Sequence, residues 1–115
     1  MQPQKAGSPF QTVARPKSAI LTGDFNYRPE HALHARMMAP FADGTPRFCD
    51  AWVLKHQDRL HDPTIGVFDR EQWPEAFCCD FIYVSEDIAP KVRGLRVDLR
   101  TEASDHQPVL LEIDV

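Results

Sequence analysis

The sequence predicts an α+β chain, on three observations. A helical pattern follows an opening strand, the last third alternates as strands do, and no GxGxxG turn marks a doubly wound nucleotide fold. At 115 residues the length suits one core, and 43% hydrophobic with 26% charged residues is a globular composition.

Residues 1–17 are polar, carry Pro3, Pro9 and Pro16, and show no periodicity, which predicts a loose leader ahead of one domain over 18–115. The segment SAILTGDF (18–25) predicts a short strand ending in a GDFN turn. From Pro29, PEHALHARMMA has helical spacing, with Pro29 at the first helical position and Pro40 as the stop. DAWVLKH (50–56) is apolar enough for either helix or strand. Residues 57–76, with Pro63, Gly66 and Pro74, predict a long loop of the kind that borders functional sites. CCDFIYVS (78–85), VRGLRVDLRT (92–101) and PVLLEIDV (108–115) predict three strands.

Thirteen Lys and Arg against 17 Asp and Glu give a net charge of −4. That balance disfavours broad capture of nucleic acid, which needs a basic face, but admits a phosphate ester whose charge is masked by a divalent cation. The apolar runs are too short to span a membrane, and the first residues lack the apolar core of a secretory signal, so a soluble, cytoplasmic chain is expected. Cys49, Cys78 and Cys79 form no CxxC or zinc pattern and read as small buried thiols.

Three segments carry chemistry. In Gly23-Asp24-Phe25-Asn26, extended geometry would put Asp24 and Asn26 on one face, pairing a base with a neutral donor; the same residues also suit an ordinary capped turn. In Ser104-Asp105-His106-Gln107-Pro108, Asp105 can give a metal an oxygen and His106 can meet a phosphate, although such pairs also serve structure alone. Asp80 lies in an apolar strand, where an unpaired charge is costly, and His106 is its expected partner. Among the rest, His31 and His34 are expected on a helix surface. Trp52 and Trp73 suit core or core rim, and Arg93, Arg96 and Arg100 a solvated strand face. Thr64, ahead of the long loop's glycine, can sit near the site.

The ordered set GDFN, DFIYVS and SDHQPV resembles the C-terminal half of the endonuclease/exonuclease/phosphatase (DNase I-like) superfamily, which includes nucleases, phosphatases and phosphodiesterases. The resemblance covers roughly residues 18–115. It implies half of a two-layer β-sandwich with flanking helices and a Mg²⁺- or Mn²⁺-dependent hydrolysis of phosphate esters, in nucleic acids or in small phosphorylated molecules. It further implies that Asp24 positions the attacking water and that Asn26 orients it and contacts the phosphate. Asp105 would hold the metal, His106 would donate to a phosphate oxygen in the pentacoordinate transition state, and Asp80 would orient His106. The family's first half adds an Asn and a metal-binding Glu, and the 22 residues before Gly23 contain neither type. The expectation is therefore an incomplete phosphoester hydrolase, or a non-catalytic interaction module, that pairs with a second copy or a separate first half.

Overall fold

Every strand of the larger sheet is organised around one apolar run, FIYV. The computed structural model describes residues 17–115, so the segment 1–16 of the expected leader lies outside the described residues. The elements are β1 (Ile20–Asp24), α1 (Ala32–Met37), β2 (Phe48–Asp50), α2 (Ala51–His56), β3 (Asp80–Ser85), a 3-10 turn (Ala89–Lys91), β4 (Val92–Val97) and β5 (Val109–Ile113). They make two small antiparallel sheets, one ordered β1-β3-β2 and the other the β4-β5 pair.

A continuous rather than alternating apolar run belongs to a strand covered on both faces, and β3 is such a strand. Ile82 and Val84 pack with Trp52 of α2 and with Val92 and Leu95 of β4. Phe81 and Tyr83 face the other way, against Tyr27, Cys78 and the flanking Phe25, Met37 and Phe48. The Tyr83 hydroxyl is satisfied by the Tyr27 hydroxyl at 2.7 Å, as a buried phenol requires. Each of these side chains contributes on the order of 1.5–3 kcal/mol by leaving water, so β3 is the largest single source of stability in the sheet. In contrast, β1 is exposed along its whole length, with Ile20 46% and Leu21 38% accessible at the sheet edge.

The ambiguous segment 50–56 resolves into helix, because Asp50 ends β2 and its carboxylate accepts from Trp52 N at 2.9 Å as an N-cap. The first helix starts later than expected. Pro29 lies in a turn, and the start falls to His31, whose Nδ1 accepts from Leu33 N. Cys78 and Cys79 precede β3 rather than joining it, and both are buried free thiols. β4 stops at Val97, because Asp98 turns the chain by accepting from Arg100 N and Thr101 N. The long loop expected over 57–76 extends to 79 without helix or ladder strand, but bridges at Ile65 to Phe77 and to His106 give it a fixed shape. Among the described residues, no helix is long and apolar enough to cross a membrane.

Gly66 is required where this connection bends. Its φ is +77°, and a Cβ there would stand 2.7 Å from Trp73 Cβ. Gly66→Ala is expected to destabilise the fold by roughly 1–3 kcal/mol, read as a lower urea midpoint with an unchanged slope.

Candidate functional site

The last pair of the β1–β3 ladder sets Asp24 directly opposite Asp80. Directly opposed residues share a face of the sheet, so two carboxylates project together at its end. The third member comes from the turn before β5. His106 reaches the pair because Ile65 bridges to it and because Gln107 N donates to Thr64 O at 2.7 Å. The turn is held from below as well, since the buried Gln107 side chain donates to the carbonyls of Asp98 and Thr101, each at 2.8 Å.

The His106 ring lies between the two carboxylates. Its Nδ1 is 2.7 Å from Asp80 Oδ2, and an ionised carboxylate only accepts, so Nδ1 carries the proton. Its Nε2 points the other way and is 3.7 Å from Asp24 Oδ2, close enough for charge attraction but beyond a hydrogen bond. The imidazole holds its proton above the ordinary histidine range. The bond to Asp80 is the main cause and outweighs the partial burial, and the charges of Asp24 and Asp105 add to it.

Asp24, Cys79, Asp80 and His106 bring one ligand atom each within 4.8 Å of one another and can hold a metal ion. Burial and the neighbouring carboxylates push the Cys79 thiol up to about 12, so at neutral pH the group presents oxygens and one imidazole rather than a thiolate. Asp105 stands outside this group. It is exposed on the turn and lines a cavity together with Gly66, Asp69, Trp73, Glu102 and Ser104, whose wall includes none of Asp24, Asp80 and His106. Asn26 also departs from expectation. The strand ends at Asp24 and Asn26 adopts φ 59°, so the alternation that would set both side chains on one face does not continue. Its backbone N–H instead donates to Asp24 Oδ1 at 2.8 Å and steadies that carboxylate.

Thr64, expected no more closely than near the site, is fully buried at the centre of the arrangement. Its Oγ1 accepts from Cys79 N at 3.0 Å and from Asp80 N at 3.2 Å, while its carbonyl takes the Gln107 bond. One residue thereby fixes both Asp80 and the turn bearing His106. The available signal was the one β-branched hydroxyl in the otherwise turn-like run HDPTIG; its partners lie too far along the chain for periodicity to reveal them.

The expected helix-surface pair separates. His31 caps α1 in solvent, whereas His34 is buried and bonds to Asp50. Trp52 is core and donates to Arg59 O, and Arg93 pairs with Asp114 on the surface. Comparison with protein-family models, with curated proteins and with solved structures returns no match.

Two outcomes follow from this geometry. A raised folded-state value means that protonated His106 adds stability at pH below its unfolded value, and that this is lost as pH rises through the folded one. In an NMR titration the His106 midpoint is expected above that of an unstructured histidine, and Asp80→Asn is expected to lower it. Thr64→Val, which keeps shape but leaves the Cys79 and Asp80 amides unpaired, is expected to cost about 1–3 kcal/mol and to lower the same midpoint, with Thr64→Ser restoring it.

Proposed function

We propose that this chain is a divalent-metal-dependent phosphoester hydrolase with half of a DNase I-like sandwich as its fold. The observation that carries the reading is the convergence of Asp24, Asp80 and His106 from three separate segments, with His106 Nδ1 bound to Asp80 and Nε2 left to face a ligand. Phosphoester cleavage needs a positioned nucleophile and positive charge where the phosphoryl oxygens gain negative charge. His106, protonated and oriented by Asp80, donates from Nε2 to a phosphate oxygen. Asp24, held by the Asn26 amide, orients the attacking water and accepts its proton.

The donor set includes two carboxylate oxygens, the ligand type that hard cations take. Asp24 and Asp80 would hold Mg²⁺ or Mn²⁺, with Asp105 close by on the turn. When bound, the ion supplies positive charge against the phosphate. The cavity that Asp105 lines also bears Asp69 and Glu102. Three carboxylates repel a polyanion, which favours a small phosphate ester over a long nucleic acid.

The exposed β1 favours a second reading, a non-catalytic module whose sheet edge pairs with a covering chain such as a second copy. Hydrolysis of bis-para-nitrophenyl phosphate with Mg²⁺ or Mn²⁺ separates the two. Asp24→Ala and His106→Ala are expected to lower the rate by about 10²–10³-fold, and EDTA to abolish it. Equal rates in wild type and both variants would exclude catalysis and leave the module.

A further inference from the structure

A second polar centre lies inside the aromatic layer, apart from the Asp24–His106 face. His34 of α1 and His61 of the long connection both direct Nε2 at one oxygen, Oδ2 of Asp50, at 2.8 and 2.7 Å. The three residues come from three segments, and all are almost wholly enclosed, with Asp50 2% and His34 8% accessible and the His61 side chain 10%. The other Asp50 oxygen is committed to the start of α2. The two rings stand at 90° with centroids 5.7 Å apart, so they approach the carboxylate from different directions, as two ligands on one ion do. Aromatic rings wall the centre, Phe81 at 5.2 Å from His34 and Trp52 stacked at 5.5 Å from His61.

We propose that His34, Asp50 and His61 form a binding site for a transition-metal ion of the zinc class, distinct from the hard-cation site at Asp24 and Asp80. Two imidazole nitrogens and one carboxylate oxygen are a set that Zn²⁺ takes with a fourth position for water, and imidazole selects it over Mg²⁺. The hydrogen-bond distances are those of the metal-free arrangement. A tetrahedral ion with bonds of about 2.0–2.1 Å spaces its ligand atoms about 3.3 Å apart, so each histidine withdraws by roughly half an ångström, within side-chain rotation. Binding uses each Nε2 lone pair, so each ring carries its proton on Nδ1 in the bound state. On its outer side His61 borders a surface groove lined also by Arg28, Glu30, Leu60, Glu75 and Cys78. The bound ion would tie the long connection to α1 and to the start of α2.

The proposal does not rest on the hydrolase reading, and its test reads the metal directly. Purified full-length chain, stripped with EDTA, is titrated with Co²⁺ and then with Zn²⁺. The expected result, in excess Mg²⁺ to occupy the Asp24–Asp80 site, is one Co²⁺ per chain with the intense visible bands of a four-coordinate ion, displaced by Zn²⁺. His61→Ala is expected to weaken binding by more than ~100-fold, beyond the loss of an outlying hydrogen bond. His34→Gln, which keeps a polar partner for Asp50 should His61→Ala fail to fold, is expected to do the same, and His106→Ala to leave the spectrum intact. Absence of a four-coordinate spectrum in folded wild type, or a spectrum lost in His106→Ala and kept in either His34 or His61 variant, would overturn the proposal and leave a hydrogen-bonded network.

Discussion

The fold depends on a single strand being dry on both faces. β3 joins β1 to β2, and its side chains alternate between the core under α2 and the β4–β5 pair and the aromatic cluster beside α1. A chain of this size has little apolar surface to divide between two cores, so the four residues FIYV hold the two together. The polar residues are placed by consequence. Asp80 begins β3, where the apolar run ends, and the ladder then sets Asp24 opposite it.

That ladder end is where a rigid element meets solvent, and the candidate site uses both properties. The carboxylates take their positions from paired strands, and His106 takes its position from a turn held by buried hydrogen bonds of Gln107 and Thr64. Buried hydroxyls and amides are costly when unpaired. Thr64 therefore acts as more than filler: its two amide bonds and its carbonyl bond make the position of the turn depend on the position of β3. The cavity that Asp105 lines is bordered by the same connection, with Gly66 in its wall.

The two polar centres differ in chemistry because they differ in solvent access. Asp24, Asp80 and His106 lie at a partly open edge, in reach of solvent. His34, Asp50 and His61 are enclosed by aromatic rings, where a charge must be matched by close partners. Asp50 serves two purposes there, capping α2 with one oxygen and gathering two histidines with the other.

How much was legible in the sequence follows from the range over which each feature is decided. Local patterning was sufficient for the strands around Ile20–Asp24, Asp80–Ser85, Val92–Val97 and Val109–Ile113, for a helix ended before Pro40, and for the long connection after His56. The Asp80–His106 pair was also legible, since a carboxylate inside an apolar strand must find a donor and His106 was the apt candidate. Tertiary structure alone decided that Thr64 joins β3 to the turn and that His34 leaves the helix surface for Asp50. It also decided that Asn26 turns left-handed and that Asp105 stands apart from the other carboxylates. The physical reason is that periodicity reports which face of its own element a residue occupies. Which partner waits on that face is settled by how distant segments close upon one another, and that closure is driven by the burial of β3.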